Sequence, residues 1–315
     1  MALLAAGMST RYGRLKQLEP VGPSGEALVD YAVFDAYRAG FRRVLLIVRK
    51  DLEKAFQDHI RDRWPGDMNV VFHYQELNDL PGQDPENPVI GDLISRRRKP
   101  WGTAHALLSA RDLLPDPFIV LNADDFYGAA AFSQAITLMN RDLRLGPDDP
   151  PGFGLIAYTL GDTLSRHGGV SRGVCTVDGR GWLESVREVL QIRRSEGDIR
   201  GISLGGEDLL LSGAEPISTN FWVFTPEIFP ALEEGLHTFI QDRLREEVDP
   251  GRESEFLIPT EINRMISRKE ARVWVLRTNE PFFGITHPMD WEWVAGSIRD
   301  LIREGRYPEA LWPAG

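Results

Sequence analysis

The residues best suited to chemistry sit directly behind two short apolar runs. Ala5-Ala6-Gly7-Met8-Ser9-Thr10-Arg11 continues the first run, and Lys16 follows five residues later. Small residues behind a strand let the backbone approach a phosphate and aim N–H groups at it. Arg11 and Lys16 would add two fixed positive charges. Gly-Lys-Ser/Thr is missing, so this is not a Walker loop; Gly-x-Gly-x-x-Gly is missing, so it is not a dinucleotide fingerprint. As one glycine and two cations, a phosphate cradle and an ordinary surface turn are equally good readings. The second candidate is Asp124-Asp125, behind Phe118 to Leu121. Acids at a strand end can cap a helix. Their oxygens also suit Mg²⁺ bound together with a phosphate.

Such residues need elements to position them. Ala2 to Ala6, Val44 to Val48, Asn69 to Gln75 and Phe118 to Leu121 read as strands. Glu26 to Ala39, the segment around Leu52, Phe56 and Ile60, and Thr103 to Leu114 read as helices. Strand and helix alternating at this spacing predict an α/β fold, with a parallel sheet and right-handed crossovers. Ligands in such sheets bind beyond the carboxyl ends of the strands. The small-residue loop, Gln75 and the acid pair all follow strand ends. Residues 76–100 read as a long loop with a basic cluster, Arg96 to Lys99. The second half is less regular, with strands at Gly154 to Leu160, Gly173 to Val177, Trp182 to Arg187, Phe221 to Phe224 and Arg272 to Arg277. Residues 191–216, rich in Gly, Asp and Ser, read as a mobile loop, and Asp290 to Arg303 as a C-terminal helix. No linker divides the chain, so residues 1–315 read as one domain.

Composition excludes some partners. Asp and Glu number 47 against 36 Lys and Arg, a net charge of −11. That field repels nucleic acid and anionic membranes. No apolar run is long enough to span a bilayer, and the N-terminal stretch is too short and Gly-rich for a signal peptide. A cytoplasmic protein is expected. Cys175, the single cysteine, excludes an internal disulfide and a cysteine-based zinc site. The six histidines form no His-x-x-x-His pair, which disfavours zinc. His105 reads as a core residue of its helix. Arg96 to Lys99 reads as a solvated face, with a clamp on a triphosphate as the other possibility. Gly169-Val170-Ser171-Arg172-Gly173 fits the nucleophile elbow Gly-x-Ser-x-Gly, and acids and His287 follow it. An elbow needs a strand before Ser171 and a helix after it, whereas Gly173 to Val177 reads as a strand.

The full string Ala5 to Arg11, with Lys16-Gln17-Leu18-Glu19-Pro20-Val21, resembles the signature of nucleotidyltransferases that join a sugar 1-phosphate to a nucleoside triphosphate. Ser9 stands where that family usually has a second glycine. The resemblance implies a Rossmann-like mixed, mainly parallel sheet flanked by helices. It implies that Ala5, Ala6, Gly7, Met8, Ser9 and Thr10 hold the nucleotide, while Arg11 and Lys16 bind the triphosphate and stabilise the charge that moves. Gly102-Thr103-Ala104-His105-Ala106 is similar to the base-contacting loop of uridylyltransferases, with Gln75 as its upstream glutamine, which favours UTP. Leu121-Asn122-Ala123-Asp124 is similar to Leu-x-Gly-Asp, implying that Asp124 binds Mg²⁺. Gly169 and Glu188 fall at sugar-contacting positions, and Asn220 stands near a displaced Asn-Thr-Gly. Gly284 to Asp290 resembles the end motif that supplies a second metal ligand. Thr286 occupies the usual acid position, which leaves Asp290 as substitute or the second ligand absent. A nucleotide-sugar-binding regulatory protein and, at Ser171, a serine hydrolase stay open as alternatives. So does a homo-oligomer.

Overall fold

The unbroken apolar run Val44 to Val48 is fully buried, as a strand covered on both faces requires. The computed structural model describes residues 1–7, 16–61, 63–84, 86–141, 143–144, 146, 148–195, 197–245, 254–285, 287 and 289–312. Among them, in chain order, run β1 (Ala2–Leu4), α1 (Leu28–Arg38), β2 (Arg43–Val48), α2 (Glu53–Ile60), β3 (Asn69–Tyr74), α3 (Pro88–Arg96), α4 (Thr103–Ser109), β4 (Phe118–Asn122), β5 (Asp125–Phe126), α5 (Ala129–Met139), β6 (Gly152–Thr159), β7 (Val170–Val177), β8 (Leu183–Ser195), β9 (Asp198–Ser203), β10 (Asp208–Leu211), β11 (Pro216–Phe224), α6 (Ile228–Arg245), α7 (Ile258–Ser267), β12 (Arg272–Arg277), β13 (Phe283–Gly284) and α8 (Asp290–Arg303).

Eleven of these strands form one mixed sheet flanked by helices, in the order β10-β9-β8-β7-β11-β4-β1-β2-β3, with β6 on β11 and β12 on β6. Its core, β4-β1-β2-β3, is parallel, with Leu3 opposite both Leu46 and Leu121. Alternate residues feed opposite faces. Leu3, Val44, Leu46 and Val48 join the cluster that also holds residues of α1, α2 and α5. Ala2, Leu4, Leu45 and Ile47 join the cluster that also holds residues of α4, α6 and α7. A third cluster seats α8 on α1 through Leu28, Phe34, Val294 and Ile298. From β11 outward to β10 the pairing is antiparallel. No described helix is long and apolar enough to cross a membrane.

Three segments depart from the sequence reading. Residues 76–100 contain α3, whose start is set by Asn87 Oδ1 accepting from Val89 N at 3.0 Å and by Pro88 in the first turn. Residues 191–216 are not a loop: they hold the end of β8, all of β9 and β10, and the start of β11. The expected helix from Thr103 stops at Ser109 and ends in a 3₁₀ turn, Arg111–Leu113.

Candidate functional site

β1 and β4 lie side by side in parallel, with Leu4 opposite Asn122, so their carboxyl ends deliver two loops to one place. Ala5 and Ala6 are buried, while Gly7 is exposed with open space on its Cα. Ala5 N donates to Ile47 O at 2.8 Å, and Ala123 N to Leu4 O at 3.0 Å, which continues the ladder to the edge of the site. There Lys16 Nζ pairs with Asp124 Oδ2 at 2.7 Å, the two side chains 24% and 26% exposed. Residues 108 apart in sequence thus form one charge pair that solvent and ligand can reach. Met8, Ser9, Thr10 and Arg11 lie outside the described residues, as does Thr286.

Asp125 sits beside this pair in β5, which pairs with β13 so that Gly284 faces it. A Cβ on Gly284 would collide with Asp125 Oδ1. Asn122 Nδ2 donates to Asp125 Oδ2 at 2.9 Å. Asn220 Nδ2 in turn reaches Asn122 Oδ1 at 3.3 Å, and Trp222 Nε1 donates to Asn220 Oδ1 at 3.3 Å. Asn220 has φ 64°, at the irregularity in β11 between Ser218 and Trp222. Burial, then the neighbouring Asp124 charge, push the Asp125 carboxyl upward. Glu188, on β8 opposite Gly173 of β7, is pushed up to about 7 by burial, partly offset by Arg172.

Further along the same sheet edge, Gln75 follows β3. Its Nε2 lies 3.0 Å from Gly102 O and 2.9 Å from His105 Nδ1, and His105 Nε2 lies 2.5 Å from Asp79 O. A neutral imidazole with its proton on Nε2 satisfies both contacts, and burial drives its pKa down to about 4. Gly102, at φ +113°, packs against the backbone of Phe256, and Thr103 Oγ1 accepts from Ile258 N at 3.1 Å. Gln75, Gly102 and Thr103 therefore meet, and the last two also anchor the segment that leads into α7.

Comparison with known proteins bears on this arrangement. Residues 3–146 match the nucleotidyl transferase family. They belong to it. That span holds β1 to β5 and with them Lys16, Asp124 and Asp125. No curated protein matches the sequence. Similar solved structures extend over nearly the whole chain. The inositol-1-phosphate CTP transferase of T. maritima aligns at 12% identity and TM-score 0.56, covering 95% of each chain. HddC of Yersinia pseudotuberculosis aligns at 14% and 0.55, covering 94% of this chain and 97% of that one. A UDP-glucose pyrophosphorylase bound to UDP-glucose aligns at 16% and 0.53, covering 95% and 97%. At such identities the likeness shows the fold.

The half that follows the nucleotidyl transferase match folds back over the acid pair. Gly168 and Gly169 are needed for close approach. A Cβ on Gly168 would run into the His287 ring, and one on Gly169 would fall 2.8 Å from Gln191 Cα. His287 Nε2 approaches Gly169 O at 3.3 Å. Asp290 is 1% exposed, and its carboxylate accepts from Ser165 Oγ at 2.8 Å and His287 N at 2.7 Å. Its geometry is that of a helix-start carboxylate tying 284–290 to residues 165–169. Ser171 lies exposed inside β7, so it stands at no strand-to-helix elbow. Arg97 stacks on Trp101 at 4.1 Å and donates to Pro100 O and Ser254 O, which makes it a structural strap. Cys175 is buried, and burial raises its thiol to about 12.

Sequence reasoning missed three residues of this centre. Asn122 holds Asp125. Tyr127 Oη accepts from Asn122 N at 2.9 Å and donates to Thr219 O at 3.2 Å. Arg172 reaches in from β7.

Proposed function

We propose that this protein transfers a nucleotidyl group from a nucleoside triphosphate, UTP by preference, to a sugar 1-phosphate and releases pyrophosphate. The observation that carries the reading is the 2.7 Å pairing of Lys16 with Asp124 beyond the ends of β1 and β4. In the transfer, a phosphate oxygen of the sugar 1-phosphate bonds to the α-phosphorus. The bond from that phosphorus to the bridging oxygen breaks, and its electron pair leaves with pyrophosphate. The attacking oxygen is anionic near neutral pH, so no general base is required. The obstacle is repulsion between two anions, which positioning and charge neutralisation overcome.

Lys16, with Arg11 and the backbone N–H groups of Ala5 to Thr10, binds the triphosphate and offsets the charge gathering on the leaving group. The donor set at the acid pair is oxygen only and accessible, which fits a hard cation sharing substrate phosphates. Asp124 would hold that Mg²⁺, which supplies charge neutralisation. Asp290, whose carboxylate also accepts from Ser165 and His287, is the substitute for the second ligand, or that ligand is absent. Gln75, Gly102 and Thr103 face the base, and Gly169, Glu188 and Asn220 the sugar. We take residues 1–315 as one cytoplasmic catalytic domain. The nucleotide binds on 1–150 and the sugar phosphate on 151–290, and the last part of the chain, 290–315, carries the C-terminal helix α8 over Asp290–Arg303. A matrix of UTP, dTTP, CTP, ATP and GTP against sugar 1-phosphates, read by pyrophosphate release with Mg²⁺, is the test. Turnover led by UTP is expected. A preference for CTP or GTP overturns the base assignment; UTP binding without pyrophosphate release makes the chain a binding protein.

A further inference from the structure

Arg172 is a cation fixed in place by neutral acceptors. Nη2 donates to Thr163 O at 2.9 Å, Nη1 to Ser171 O at 2.9 Å, and Nε reaches Thr163 Oγ1 at 3.4 Å. Its guanidinium lies 5.1 Å from the centre of the Phe282 ring. Among the described residues no carboxylate comes within ion-pair distance of it. A guanidinium has five N–H donors, so these three bonds leave one N–H on each terminal nitrogen.

The surroundings place this cation at the site. Phe282 directly precedes β13, where Gly284 presses on Asp125. In the sheet Arg172 is opposite Val189, and the adjacent Gly173 is opposite both Glu188 and Ser218. Arg172 therefore stands between the acid pair, Glu188 and the bend in β11 that carries Asn220. Burial works against its charge, while Asp125 and Glu188 work in its favour.

We infer that Arg172 receives the phosphate of the sugar 1-phosphate and holds it beside the acid pair, opposite the triphosphate bound at Lys16. The inference rests on the nucleotidyl transfer proposed above and adds the residue that binds the second substrate. Carbonyl anchors orient the fork without neutralising it, and a fork with one N–H on each prong matches two oxygens of a phosphate. Two cations beside Asp124 and Asp125 would then each hold one anion and offset the repulsion between them.

The test uses the full chain and the variants Arg172→Gln and Arg172→Lys, with circular dichroism to establish that each folds. With the best substrate pair from the matrix, Arg172→Gln should raise KM for the sugar phosphate tenfold or more. KM for the triphosphate should stay within twofold, and Arg172→Lys should fall between wild type and Arg172→Gln. A parallel rise in the triphosphate KM, or no selective rise, overturns the inference. If the wild type turns over no pair, the transfer reading fails on its own. Inorganic phosphate then decides about Arg172: it should raise the melting temperature of wild type but not of Arg172→Gln, and equal or absent responses overturn the assignment.

Discussion

At the scale of single residues, the charge pair at the loop mouth is where activity and stability part. Lys16 and Asp124 keep 24% and 26% of their side chains exposed at the loop mouth, and screening by the water there leaves their attraction worth only about 0–1 kcal/mol to folding. Removing a charge aimed at a transition state costs much more, about 3–4 kcal/mol. Lys16→Ala and Asp124→Asn should therefore each lose a hundredfold or more in turnover, with melting temperatures close to wild type. Wild-type turnover in either purified variant would contradict the assignment. Tyr127→Phe should behave in the opposite way. It strips a buried hydroxyl from Asn122 N and Thr219 O, leaving both unsatisfied at about 1–3 kcal/mol. Urea unfolding should register that loss. Lys16 and Asp124 were legible in the sequence because each lies in a contiguous string behind a strand. Tyr127, Asn122 and Arg172 were not: the bonds from Tyr127 to Thr219 and from Asn220 to Asn122 cross to β11, and Arg172 is brought near the acid pair from β7, placements that no local spacing encodes.

At the scale of elements, the start of α4 is held by close backbone contact with Phe256 as well as by the Thr103 hydroxyl. Gly102 has φ +113°, where an L side chain is strained, and a Cβ there would strike Phe256 O. Ala104 N donates to that same oxygen at 3.0 Å. Gly102→Ala must therefore push the 256–258 segment away from α4 or abandon its own conformation. Strain of this kind costs about 1–3 kcal/mol. The expected result is a lower melting temperature together with a raised KM for the triphosphate, since Gly102 O is also bonded to Gln75. An unchanged melting curve would show that the segment yields freely. The core strands were readable because both of their faces are covered, which forces unbroken apolar runs. The β9–β10 arm was not, because each strand is short, with buried residues alternating with exposed or half-buried ones in β9 and only half-buried with exposed ones in β10. Polar and glycine content then looks like a loop. Helix α3 escaped notice for a related reason: only Ile90 of its residues is buried, and its Asn-Pro start was the better signal.

At the scale of the whole molecule, the end of the chain is pinned to α1 by a buried carboxyl that makes stability depend on pH. Tyr307 Oη donates to Asp35 Oδ2 at 2.6 Å, and Oδ1 has no hydrogen-bond partner among the described residues. Burial pushes Asp35 up to about 7; Glu280 pushes the same way, while Tyr307, Arg38 and Arg306 pull it down. A carboxyl whose folded pKa exceeds its unfolded value binds more protons when folded. Its contribution is present below the unfolded pKa and is lost as pH rises through the folded one. Stability should thus decline from about pH 4 to 7 by up to about 1.4 kcal/mol per pH unit from this group. His105 opposes that trend, because burial holds it at about 4 and the unfolded chain takes up its proton first. The net profile of the wild type therefore hides both effects, and a difference between two proteins is needed to separate them. Asp35→Asn keeps an acceptor for Tyr307 and cannot ionise, while His105 is common to both proteins and cancels. Urea unfolding at pH 4 and pH 8 should find the variant near wild type at the lower pH and clearly more stable at the higher. A difference that stays constant across that range would mean that Asp35 does not ionise within it, and that the contact between the C-terminal segment and α1 is indifferent to pH.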